Sequence, residues 1–130
     1  MSVYAGRALL LPVSAPFHCR LMKPAQDIVQ KEIHPLTFIH PTIDIISNAT
    51  GRPMNHLQLK PLIVSQITST VQWHASINYL VGQEGVHDFI AVGPHRVVSN
   101  LLKKEYPDGA CHVVSVSTLE DLKKLKGMFK

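Results

Sequence analysis

Short apolar runs that stop at proline or glycine, each followed by residues at helical spacing, recur along this chain. The first, Ala8-Leu9-Leu10-Leu11-Pro12-Val13, predicts a buried strand. Leu21, Met22, Ala25, Ile28, Val29 and Ile33 then repeat at the period of a helix, with Pro24 near its start, where a missing N–H is harmless. Ile43, Ile45 and Ile46 predict a second strand over 42–47, closed by the turn residues Asn48-Ala49-Thr50-Gly51-Arg52-Pro53. Leu59, Leu62, Ile63 and Ile67 predict a helix over 57–68 with Pro61 in its first turn. Trp73, Ile77, Leu80 and Val81 predict another over 71–81, ended by Gly82. Phe89-Ile90-Ala91-Val92 reads as a short buried strand running into Gly93-Pro94. A helix over 96–106 should turn Val97, Val98, Leu101 and Leu102 inward, and 111–116 should form a strand. Ser117 and Glu120 offer a capping box for the last helix. Strands that alternate with helices specify a layered α/β fold with short, mostly parallel strands. No linker divides the chain, so residues 1–130 are expected to form one domain, in which an opening core strand suggests the back half of something larger.

Composition excludes several classes. Apolar residues make up 45% and charged residues 17%, which is globular rather than disordered. No apolar run approaches the ~20 residues of a membrane helix. Cys19 and Cys111 fit no metal spacing and build no disulfide framework. The eight histidines show no i, i+4 or H-x-H grouping, so no metal is assigned. The formal charge of +4 favours an anionic partner, but basic and aromatic residues do not interleave and no nucleic-acid motif is present.

His18 is the residue most suggestive of chemistry. It stands in Leu11-Pro-Val-Ser-Ala-Pro-Phe-His18, after the first strand and before the first helix, where α/β sheets build their sites. A histidine there can serve as a general base near neutral pH, but it needs a nucleophile and an acceptor to orient its other nitrogen. No serine lies in a G-x-S-x-G elbow, and the side chain of Cys19, next to His18, should diverge from it. His18 therefore looks like half of a catalytic pair whose other half is not in the chain. Gln66, near the end of its helix, can orient a partner; Trp73 reads as core, and Gly93-Pro94 as a strand-to-helix turn.

At these residues the chain resembles the malonyl-CoA:acyl carrier protein transacylase family. The matching pieces are Leu11 to Pro24 with its Pro-Phe-His18-Cys, Ile46-Ser-Asn-Ala-Thr-Gly51, Gln66, Val71-Gln-Trp73 and Val92-Gly-Pro94; together they span about residues 7–105. The resemblance implies the C-terminal part of an α/β-hydrolase-like acyltransferase subdomain, with the ferredoxin-like subdomain absent. It implies a ping-pong transfer of malonyl from malonyl-CoA to acyl carrier protein through a serine in G-H-S-x-G. His18 would be the base, and a main-chain carbonyl at the position of Gln66 would hold its other nitrogen. Phe17 would narrow the acyl pocket against branched groups. No cofactor is implied, because the coenzyme A thioester is a substrate.

The departures carry their own expectations. The serine elbow, the G-Q-G loop and the arginine that clamps the malonyl carboxylate are family features that this sequence lacks, and His95 stands where the family often has glycine after Gly-Pro. The chain alone should be inactive; the alternative is a non-catalytic module that binds the acidic acyl carrier protein through its positive charge. Truncated core strands should also favour self-association. The family is cytosolic in bacteria and mitochondrial in stand-alone eukaryotic systems, and the weak lean here is to the latter.

Overall fold

The computed structural model describes residues 13–94 and 96–128. The predicted first strand, apart from Val13, and His95 lie outside them. The chain divides into two compact units between Ile77 and Asn78, a division that falls within one helix.

In the first unit, a single 3-10 turn over Arg20–Met22 leads into α1, Lys23–Ile33, with Pro24 in its first turn as expected. α1 packs against α2, His56–Ser65. α2 starts on a capping box that the apolar pattern alone does not reveal. Asn55 Oδ1 accepts from the N–H groups of Leu57 (3.0 Å) and Gln58 (3.1 Å), and Gln58 Oε1 accepts from the Asn55 N–H at 3.1 Å. Pro61 lies in the second turn of α2, not the first, so the Leu57 carbonyl loses its i+4 donor there. α3 runs from Trp73 to Gly82. Leu59, Val64 and Ile77 are the buried apolar side chains of this unit.

The segment 42–47 forms no strand. It makes a single antiparallel bridge, Ile46 to Pro53, flanked by Ser47 N–H to Arg52 O (2.9 Å) and Met54 N–H to Ile45 O (2.9 Å). The chain returns on itself at once, and Pro53 has no N–H with which to extend the ladder. The turn between them fits the expected residues. Gly51 sits at φ +66, buried, and a Cβ there would fall 2.7 Å from the Cβ of Ala75. Both the backbone angle and the contact therefore require glycine.

The second unit holds a succession of strand, helix and strand: β1, Asp88–Val92; α4, Val97–Glu105; β2, His112–Val116. The strands are parallel and in register from Asp88 with His112 to Val92 with Val116, with α4 as the crossover. α4 and α5, Leu119–Met128, both pack on β2. Leu102, Cys111 and Val116 are buried, but of the four apolar residues expected to point inward from α4 only Leu102 does. Val97 is 61% exposed and Ser99 takes the buried place, its hydroxyl donating back to Arg96 O at 3.0 Å. β1 is likewise less buried than its apolar run suggests, with Val92 82% exposed.

α5 is capped one residue later than the sequence pattern predicts. Thr118 Oγ1 accepts from the Asp121 N–H at 3.2 Å, and Asp121 Oδ2 accepts from the N–H groups of Ser117 and Thr118, each at 3.0 Å. Asp121 displaces Glu120 because its shorter side chain reaches both amides, while Glu120 pairs with Lys124 at 3.0 Å. The Ser117 amide, then the Thr118 hydroxyl and amide, hold the Asp121 carboxyl below its usual range. Among the described residues no helix is long and apolar enough to cross a membrane.

Two outcomes are expected. Gly51→Ala should destabilise the chain by about 2 kcal/mol or more, because the left-handed angle alone disfavours alanine by about 1–2 kcal/mol; urea unfolding measures this. Asp121 is depressed in the folded state, so its cap is present above the ordinary carboxylate pKa and lost as pH falls through the folded one. Protection of the Ser117 and Thr118 amides, taken relative to the intrinsic exchange rate at each pH, should therefore fall on acidification, and Asp121→Asn should remove that dependence.

Candidate active site

Pro16 and Phe17 carry the chain into a tight turn in which the Phe17 N–H donates to Ala15 O at 2.9 Å. His18 follows at φ +59, and it is the sole non-glycine residue at positive φ among the described residues. A residue with a Cβ is disfavoured in that region, and such strain persists only where surrounding contacts hold it. The contacts are visible. Cys19 Sγ donates to Pro16 O at 3.1 Å, and the Met22 N–H donates to Cys19 O at 3.0 Å.

The imidazole itself is held from the other side of the unit. His18 Nδ1 lies 3.0 Å from the main-chain oxygen of Gln66. A carbonyl has no proton to give, so this bond requires the proton on Nδ1. In the neutral ring the lone pair then sits on Nε2, the nitrogen that is left to accept a proton. His18 is exposed, so Nε2 is open to a partner.

The Gln66 carbonyl is available for a structural reason. α2 stops at Ser65, and Gln66 is its cap, past the last helical residue rather than one turn inside. The Ser65 carbonyl accepts from the N–H groups of Thr68 and Ser69 and from the Ser69 hydroxyl at 2.8 Å, which closes the helix. The next carbonyl, Gln66 O, is left for His18. The structure thus brings His18 and Gln66 together across 48 positions of sequence. Phe17 is 55% exposed beside them in sequence. A groove of about 380 Å3 between α1 and α2, lined by Gln26, Gln30, Ile33, Lys60, Pro61 and Val64, involves none of the three.

Other residues are set apart. Burial pushes the Cys111 thiol up, with the Asp108 and Glu105 carboxylates adding to the effect, so it is kept in its unreactive protonated form. Trp73 is half-buried at the first position of α3. Asn48 was legible only as a turn residue, yet its Nδ2 donates to Gln66 Oε1 at 3.3 Å.

With this geometry in view, comparison with known proteins is informative. No family model matches the chain. The malonyl CoA-acyl carrier protein transacylase of Escherichia coli (strain K12) is 40% identical over 101 residues, 77% of this chain and 32% of that protein. The chain matches the malonyl-CoA:acyl carrier protein transacylase family over part of its length. It spans about a third of the curated relatives it matches. The crystal structure of the transacylase from Clostridium perfringens superimposes with a TM-score of 0.83 at 29% identity, covering 96% of this chain and 39% of that one. A malonyl-transacylase in complex with a type II polyketide acyl-carrier protein gives 0.78 at 27% identity, over 93% and 39% of the two chains. These relatives are acyltransferases, and the α/β character with parallel strands agrees with theirs.

The strain at His18 is testable by comparing two variants that both lose the Gln66 bond. His18→Gly should be more stable than His18→Ala by about 1 kcal/mol, the difference between glycine and alanine at a left-handed angle. Equal denaturation midpoints would mean that the turn relaxes out of that angle.

Proposed function

We propose that residues 1–130 are the C-terminal part of an α/β-hydrolase-like acyltransferase domain that transfers malonyl from malonyl-CoA to acyl carrier protein. The observation that carries this reading is the bond from His18 Nδ1 to the Gln66 carbonyl, 3.0 Å long. It fixes the tautomer that a general base needs. In this reading Nε2 takes the proton of a serine hydroxyl as the oxygen attacks the malonyl thioester carbonyl. It then gives that proton to the departing coenzyme A thiolate. In the second half-reaction it deprotonates the acyl carrier protein thiol, which attacks the malonyl-serine ester, and returns the proton to the serine.

A neutral carbonyl in place of a carboxylate orients the ring but does less to stabilise imidazolium. Phe17 is assigned to the acyl pocket, where it disfavours branched acyl groups. Discrimination of about 1–3 kcal/mol per methyl is the most that such a contact provides.

The serine, its oxyanion donors and a cation for the malonyl carboxylate are assigned to a segment other than this chain. The chain carries no G-x-S-x-G. Positive charge suits both partners, since coenzyme A carries phosphates and acyl carrier proteins are acidic. Lys103 and Lys104, exposed in the last turn of α4, are part of that charge and also support the second reading, a module that binds acyl carrier protein without catalysis.

The test is malonyl transfer by the purified chain, alone and with a segment containing a serine elbow supplied. Transfer is expected only in the second case, and His18→Ala should lower its rate by about 100-fold or more, the usual contribution of a general base. Transfer by the chain alone would place the nucleophile within it and make Cys19 the first residue to substitute.

A further inference from the structure

We propose that Asn48 is a positioning residue for His18, acting through Gln66; this rests on the reading of His18 as the base and names the part of the fold that aims it. His18 is held by a carbonyl on the connection between α2 and α3. The end of α2 holds the near side of that peptide, with the Gln66 N–H donating to Leu62 O at 3.1 Å and the Ile67 N–H to Val64 O at 3.3 Å. The turn 47–53 adds a second hold, touching the connection at two places and the start of α3 at a third.

At the near end, Asn48 Nδ2 donates to Gln66 Oε1 at 3.3 Å. At the connection's last residue, the main-chain oxygen of Asn48 accepts from the Gln72 N–H at 2.8 Å. At the far end, Gly51 packs on Ala75 in the first turn of α3. One residue, Asn48, thus ties both the residue that orients the imidazole and Gln72, the last residue of the connection.

The turn is rigid enough to act as a bracket. Ser47 is 2% exposed. Its carbonyl accepts from the Gly51 N–H at 2.8 Å and the Thr50 N–H at 3.3 Å, and its hydroxyl accepts from the Ala49 N–H at 3.1 Å. The bridge between Ile46 and Pro53 closes its base. Asn suits the position because one short side chain supplies the donor while its own backbone supplies the acceptor. Removing the amide leaves the backbone bond to Gln72 intact and frees the Gln66 end alone. The Gln66 peptide is then held by the end of α2 alone, and the preference of His18 for a proton on Nδ1 weakens.

The measurement is the ratio of the two neutral tautomers of His18, read from the chemical shifts of its ring nitrogens at about pH 8, where an ordinary imidazole is neutral. Asn48→Ala, Gln66→Ala and the double variant are compared with the unaltered chain. Each single change is expected to lower the share of the Nδ1–H form by roughly threefold or more, the scale of one hydrogen bond. The double variant should fall no further than either single one, because both remove the same link. An unchanged ratio in a folded Asn48→Ala chain overturns the proposal, as do effects that multiply in the double variant. Should Asn48→Ala fail to fold, Gln66→Ala decides alone, an unchanged ratio again overturning it. The readout needs no acyl transfer. A shifted tautomer in a chain whose His18 proves dispensable for transfer would sink the base reading and leave the bracket standing.

Discussion

A helix that ends leaves its last carbonyls without donors, and the site depends on how α2 disposes of them. Ser65 O is taken by the backbone and hydroxyl groups that follow it. Gln66 O is one step too late for that closure and is met by an imidazole instead. The capping box at Asn55 fixes where α2 begins, and the Ser65 closure fixes where it ends. Between them they determine which carbonyl is free. A helix continued as far as residue 70 would take the acceptor into its own ladder.

That arrangement explains why a strained residue is tolerated at position 18. The left-handed angle turns the side chain out of the path that leads into α1, and the distant carbonyl compensates part of the strain. Among the described residues of the first unit the buried apolar set is small: Leu59, Val64 and Ile77. Local geometry here is therefore maintained by directed hydrogen bonds more than by packing. The turn 47–53 is the clearest case, with a buried serine at its base and a glycine that admits no Cβ.

Helices and the parallel pair were legible from apolar period and from Pro and Gly positions. α1, α3, α4 and β2 fall within a residue or two of their expected bounds. Single-residue features were less so. The segment 42–47 has the apolar content of a strand, but content does not supply a partner, and Pro53 limits the one it has. The cap of α5 shifted from Ser117 and Glu120 to Thr118 and Asp121 because side-chain reach, which a four-residue spacing ignores, decided it. His18 and Gln66 could be named from resemblance, but not the link from Asn48, since a turn asparagine looks the same whether or not its amide meets something distant.

The parallel pair has one more implication. His112 N–H bonds to His87 O and Gly93 N–H to Val116 O, so the odd-numbered residues of β1 face β2. By alternation, the peptide groups of Asp88, Ile90 and Val92 face the opposite way, beside two apolar side chains that are 48% and 82% exposed at positions 90 and 92. Among the described residues no other strand pairs with this rim, so there its donors and acceptors form a directional ladder that an extended backbone fits. Dilution, not added salt, is what keeps a neutral backbone ladder from finding a second one.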